Sequence, residues 1–254
     1  MKQILDLTLT ENSALNATNV LLKFHAPSLP PMKPGQFVEV RVDNAPNTYL
    51  RRPISVNWVD EAKNELWLLV QVVGEGTEKL AQLQIGSVVN MLLPLGNGFS
   101  LPENPSNRVL LVGGGVGTAP LLYMGELLKR NGFIPTFLLG ARSADGLLQT
   151  DHFKQIGNLY VTTEDGTAGE KGYVTQHSIL TSQTFDNIYT CGPKPMMEAV
   201  VAFARKNNIW CEASLENTMA CGFGVCLCCV EDTTHGNLCV CTEGPVFNSS
   251  VLKW

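Results

Sequence analysis

The chain lacks any uninterrupted apolar run approaching the roughly eighteen residues of a spanning helix. Residues 1–20 have no basic leader followed by an apolar core, so the expectation is a cytoplasmic protein. Positive charge is not in excess either: 18 Lys and Arg face 23 Asp and Glu, a formal net charge of -5 that offers nucleic acid no footprint. The four histidines, His25, His152, His177 and His235, are scattered, with no His-x3-His pair. There is no nucleophile elbow, so hydrolytic chemistry has no constellation to stand on. Internal repeats and low-complexity tracts are absent. The 254 residues suffice for two domains and a small extension.

Cysteine is plentiful by contrast, with eight residues, six of them crowded between 221 and 241. Crowding in one segment, rather than spreading in pairs, suits a reducing compartment. Cys221-x4-Cys226-x2-Cys229 is the spacing of plant-type [2Fe-2S] ligation, and Cys241 follows after eleven residues. Such a cluster needs soft thiolates converging from a tight loop with amides turned inward, and Gly222 and Gly224 ease the wrap. A zinc knuckle usually pairs two Cys-x2-Cys units or adds histidines; here there is no second pair, and the nearest histidine is the lone His235. The fourth ligand stays open at this point. Cys228 adjoins Cys229, and Cys239 and Cys241 share one face of an extended chain.

From residue 3 to about 100, short apolar or alternating runs at 17–25, 36–42, 54–59, 65–73 and 87–93 are broken by Pro, Gly and Asn. That spacing predicts an antiparallel barrel, with a short helix over Thr77 to Leu83. After residue 105 the character changes. Val109-Leu-Leu-Val runs into Gly113-Gly-Gly-Val-Gly and then an apolar helix over Pro120 to Arg130; strands follow at Pro135 to Gly140, Leu159 to Thr163 and Asn187 to Cys191. A further helix, Pro193 to Asn207, carries a core stripe of Met196, Val200, Phe203 and Ala204. Strands alternating with helices predict a parallel sheet. We therefore expect domains at 1–102, 103–210 and 211–254, the last an appendix too poor in apolar residues to form a core alone.

Gly115-x-Gly117-x-x-Pro120 lies between a strand and a helix, where backbone amides can approach a pyrophosphate; Pro120 suits the first helical turn. Gly74-Glu-Gly76-Thr77 is a second glycine turn able to seat an anion. Arg51 and Arg52 supply guanidinium groups for a diphosphate, although two arginines on a strand can equally be a solvated face. Cys191-Gly192-Pro193 sits where a parallel strand ends, the usual place of ligand contact, but such a cysteine can equally be a buried hydrophobe.

These motifs, in this order, resemble the ferredoxin-NADP reductase superfamily, whose usual Arg-x-Tyr-Ser/Thr stands here as Arg52-Pro53-Ile54-Ser55. With LPLGNGF at 93–99, GGGVGTAPLL, YTCGPKPMM and the ending MACGFGVCLCC followed by CTEGPVF, the chain is similar to the electron-transfer subunits of dihydroorotate dehydrogenase B. The similarity spans nearly the whole chain, and its closing segment is the most specific part. It implies a flavin-binding barrel, a pyridine-nucleotide α/β domain and a C-terminal [2Fe-2S] segment. It further implies FAD at Arg52, Pro53, Ile54, Ser55, Leu69, Val70, Gln71, Gly76 and Thr77. NAD is expected at Gly115, Gly117, Pro120, Cys191, Gly192 and Pro193, with Arg142 and Ser143 arguing for a 2′-phosphate and Asp145 against it. The similarity selects Cys241 as fourth ligand, because that ligand precedes the x-x-Gly-Pro-Val-Phe ending. The implied partner is an FMN-containing dihydroorotate dehydrogenase catalytic subunit, two of each chain forming a heterotetramer in pyrimidine biosynthesis. A cluster passes single electrons whereas a nicotinamide takes a hydride, so a flavin must lie between them. No catalytic acid or base is then required. Two rivals stand beside this: a flavin and iron–sulfur subunit of a sulfhydrogenase or NAD(P)H:ferredoxin transhydrogenase, and a zinc-stabilised binding module.

Overall fold

Leucines at 5, 7 and 9 alternate with Asp6, Thr8 and Thr10, and this period of two forms β1 (Gln3–Ala14), with Leu7 and Leu9 fully buried. The structure, a computed structural model, describes residues 1–254. β1 is the strand that the five expected runs omit, though its alternation was there to be read. It pairs antiparallel with β2 (Asn19–His25). The other barrel strands are β3 (Phe37–Val40), β4 (Arg52–Asp60), β5 (Glu65–Gln71) and β6 (Val88–Leu95), with α1 (Glu75–Ala81) before the last. The six close in the order β1-β2-β5-β4-β3-β6 around Leu7, Leu9, Phe24, Leu66, Leu68 and Met91. Closure leaves the barrel without an unpaired edge.

β7 (Val109–Gly114) begins the second unit, followed by α2 (Ala119–Arg130), β8 (Thr136–Ala141), α3 (Thr150–Ile156), β9 (Asn158–Thr163) and β10 (Glu170–Lys171). Then come α4 (Ile179–Ser182), β11 (Asn187–Cys191), α5 (Lys194–Lys206) and β12 (Trp210–Ser214). The hairpin β13 (Val230–Thr233) and β14 (Gly236–Cys239) stands apart, and β15 (Val246–Asn248) returns to the sheet. The sheet order is β10-β9-β8-β7-β11-β12-β15, parallel except for β15. Both faces are covered: Val109, Leu111 and Phe137 on one side, Leu110, Val112 and Ile188 on the other.

Two expectations differ from what the chain does. α5 buries Met197, Val200, Val201 and Ala204; of the expected stripe, Val200 and Ala204 are buried, while Met196 and Phe203 are half-buried at the margin of the same core, Met196 turning toward Gly114 at the strand end. The C-terminal segment is no plain appendix. It is tied to the sheet at both ends, by β12 beside β11 and by β15 beside β12, so it borrows a core that it could not build. No helix is long and apolar enough to cross a membrane.

Candidate functional site

β7 neighbours β8 on one side and β11 on the other, so the chain winds in opposite directions from this pair of strands. A crevice opens at such a switch point, outside the carboxyl ends of the strands. Gly113 lies opposite Cys191 in register, which brings the Gly115–Thr118 turn against Gly192 and Pro193. A Cβ at Gly117 would lie 2.6 Å from the Gly192 nitrogen, so only glycine admits this approach. Gly115 and Val116 are half-buried, and Pro193 is exposed. Pro120, by contrast, is buried within the first turn of α2 and opens no surface to a ligand. Cys191 is wholly buried, its sulfur 3.9 Å from Glu216 Oε1. Burial pushes its thiol up, and Glu216 adds to the effect.

A cleft of about 540 Å³ joins this crevice to the barrel. On the barrel side it is lined by Arg52, Pro53, Ile54, Ser55, Leu69, Gln71 and Thr77; Val116 and Ala119 contribute from the glycine turn. Its third wall is Leu215 to Met219, a stretch that the sequence reading does not include. Nothing local distinguishes those residues; only the strand preceding them carries them there. Glu216 opens onto the cleft yet lies deep within it, and desolvation raises its carboxyl while the Cys191 thiol works in the opposite direction. Volume and mixed lining both suit a bound organic cofactor.

Arg52 lies over Gly76, where a Cβ would stand 2.8 Å from its Nε, and its Nη1 donates to the Leu50 carbonyl at 2.8 Å. The N–H groups of Arg51 are engaged differently. It donates to the carbonyls of Glu39 and Asn90 and to the Asn90 side chain, tying β3 to β6. It lines the same cleft as Arg52, but its N–H groups are committed to the barrel wall. Val70 turns into the barrel core, since alternation sends Leu69 and Gln71 the other way. The Gly74 turn is less open to an anion than expected, because Thr77 Oγ accepts from Val73 N and Gly74 N.

The cysteine segment is docked on the barrel by a seam between two motifs far apart in the chain. Asn97 donates from its backbone to Gly244 O and from Nδ2 to the carbonyls of Thr242 and Glu243. Cys229 and Cys241 are buried, Cys221 is half-buried, and Cys226 is exposed. Val225 N donates to Cys221 Sγ and Cys241 N to Cys229 Sγ, each at 3.4 Å. Burial opposes ionisation of Cys221, but amides of Phe223, Cys226 and Val225 outweigh it and bring the thiol down to about 6. Amides turned onto thiol sulfurs are the donor set that an iron–sulfur cluster asks for, so these residues fit one. No three His, Cys, Asp or Glu side chains gather round a single-ion position. Cys228 is exposed, and Cys239 is half-buried at the end of β14.

Family models match two stretches of the chain. Residues 216–253 match the iron-sulfur cluster binding domain of dihydroorotate dehydrogenase B, and residues 111–202 the oxidoreductase NAD-binding domain. The chain is 41% identical over 220 residues to the dihydroorotate dehydrogenase B (NAD(+)) electron transfer subunit of Shouchella clausii, covering 85% of this chain and 84% of that protein. It is 42% identical over 218 residues to that of Caldanaerobacter subterraneus subsp. tengcongensis, covering 84% of each. Among solved structures, the NADH-dependent reduced ferredoxin-NADP oxidoreductase superposes with a TM-score of 0.88 at 31% identity, over 98% of this chain and 90% of that one. Flavohemoglobin from Malassezia yamatoensis shares the fold, with a TM-score of 0.68 at 15% identity over 81% of this chain and 57% of the other.

Proposed function

The chain belongs to the electron-transfer subunits of dihydroorotate dehydrogenase B, and from that premise we propose how its residues divide the work. It relays electrons from a dihydroorotate-oxidising, FMN-containing partner subunit to NAD+, using FAD and a [2Fe-2S] cluster. The observation that carries this reading is the cleft in which the barrel strands, the glycine turn and residues 215–219 meet. When bound, the cluster supplies single electrons and the flavin collects them for hydride exchange with the nicotinamide.

Pro53, Ile54, Ser55, Leu69, Gln71 and Thr77 hold the FAD, Val70 serving through its backbone. Arg52 brings charge to the diphosphate across the Cβ-free surface of Gly76. NAD is held by Gly115 and Gly117, Pro120 fixing that turn from its buried place at the start of α2 without touching the ligand, with Gly192 and Pro193 opposite and Cys191 behind Glu216. Cys221, Cys226, Cys229 and Cys241 hold the cluster. Cys241 is preferred to Cys239 because its amide donates to the Cys229 sulfur and its thiol is buried beside it. Such thiolates stay reduced in the cytosol, where we place the protein. The partner docks on the apolar tip of the cluster loop, where Val225 is 73% and Leu227 64% exposed, and two of each subunit assemble as a heterotetramer.

A second reading is the flavin and iron–sulfur subunit of an NAD(P)H:ferredoxin transhydrogenase. The 31% identity to a solved oxidoreductase favours it; relatives at 41% and 42% rank it behind.

A paired assay tests the relay. The purified chain should contain FAD and [2Fe-2S] and oxidise NADH with an artificial dye, but leave dihydroorotate untouched. Adding the partner should give dihydroorotate-dependent NAD+ reduction, which a Cys226→Ser variant should lose while keeping dye reduction. Dihydroorotate oxidation by the lone chain, or coupled turnover in an iron-free variant, would overturn the path.

A further inference from the structure

Val38 and Val40 enter the barrel core, so strand alternation turns Phe37 and Glu39 the opposite way, toward the C-terminal segment. Phe37 packs there in the core that also holds Cys229 and Cys241. Glu39, its neighbour on that face, is 0% exposed. Neither of its carboxyl oxygens has a hydrogen-bond partner. Burial strips such a group of hydration without replacement, and packing alone would favour an apolar residue at this position. Rules broken in this way tend to mark functional positions.

The side chain stands against Gly222, the residue after Cys221. A Cβ at Gly222 would lie 2.6 Å from both Glu39 Cγ and Oε1, and the backbone there has φ +73°. Two separate constraints therefore select glycine at the point where the cluster loop meets the barrel. Arg51 does not neutralise the carboxyl by a direct bond. It donates to the backbone carbonyl of Glu39 and so fixes the strand that carries it. β3 is in turn paired with β4, Glu39 opposite Pro53 and Val40 opposite Arg52, within the segment assigned to FAD.

We propose that Glu39 is a positioning residue for the iron–sulfur loop, its buried oxygens accepting hydrogen bonds from the amides beside Cys221 when the loop closes on a cluster. The flavin-binding wall and the cluster loop are thereby held in one register. This rests on the reading that residues 216–253 carry the cluster.

The test uses the holoprotein with its cluster and FAD, comparing Glu39→Leu and Glu39→Gln with the unsubstituted chain. Glu39→Leu removes both acceptors at similar volume, so iron release to a chelator should quicken by roughly tenfold or more, the scale on which outer hydrogen-bond partners support metal sites. FAD content should stay at the unsubstituted level. Glu39→Gln keeps one acceptor oxygen; it should retain iron, with shifted g-values in the EPR spectrum of the reduced cluster. Should Glu39→Leu fail to fold, the Gln spectrum decides, and superposable g-values overturn the proposal. Iron release from Glu39→Leu at the unsubstituted rate, or from Glu39→Gln as fast as from Glu39→Leu, also overturns it. An unsubstituted chain that binds no iron overturns the cluster reading itself, and that result is distinct because it precedes any variant.

Discussion

At the scale of single residues, sulfur atoms and Cβ atoms decide most of the chemistry. Cys221, Cys226 and Cys229 lie on the loop before the β13–β14 hairpin and Cys241 just after it, whereas Cys228 and Cys239 have no hydrogen bond to a sulfur of these four. Serine at any of the first four should abolish the iron signal in metal analysis, while serine at 228 or 239 should leave it. Loss of iron in Cys239→Ser with retention in Cys241→Ser would reverse the fourth assignment. A different atom limits Gly117. Its missing Cβ would collide with the backbone of Gly192, which cannot yield as a flexible side chain can. Gly117→Ala should therefore raise the KM for NADH in dye reduction at least tenfold while FAD stays bound; an unchanged KM would detach this turn from nucleotide binding.

At the scale of elements, one buried amide holds the barrel to the α/β unit. Asn57 of β4 is 0% exposed, donates to the Ala119 carbonyl at the start of α2, and exchanges hydrogen bonds with Gln149 at 3.1 and 3.0 Å. Replacing it by alanine removes all three of these bonds and leaves the half-buried Gln149 amide without its partner, at a cost of about 1–3 kcal/mol. The melting temperature of Asn57→Ala should fall by several degrees. A melt coinciding with that of the unsubstituted chain would mean that the seam relaxes or hydrates. The glycine turn preceding α2 hangs from this joint, so the seam also sets how the two walls of the cleft face each other.

At the scale of the whole molecule, electrons from the partner subunit must enter the chain where the cluster loop reaches the surface. That tip is apolar, with Phe223, Val225 and Leu227 exposed around Cys226, and solvated proteins seldom expose such groups together without a partner. Val225→Glu combined with Leu227→Glu should abolish co-purification of the FMN-containing subunit while iron and FAD per chain stay constant. Retained assembly would move the docking face elsewhere.

The sequence by itself determined the order of parts. Period-two runs and turn residues specify barrel strands, apolar runs alternating with 3.6-period stretches specify a parallel sheet, and the Cys221 to Cys229 spacing specifies its metal chemistry, because each signal is local in the chain. In α5, Val200 and Ala204 are fully buried while Met196 and Phe203 sit at the margin of the buried face, because a helix's periodicity gives a face only to within a residue or so, and packing on the sheet selects the rotation. What only the tertiary structure decided are the meetings of distant segments. It sent Arg51 to Asn90 and Arg52 to Gly76, placed residues 215–219 in the cleft, sealed Asn97 onto Thr242, Glu243 and Gly244, and set Glu39 against Gly222. Apart from the pairing of Arg52 with the Gly76 turn, none of these carries a sequence signal. Each depends on the face a strand turns inward and on the neighbour it finds once the barrel has closed on the sheet.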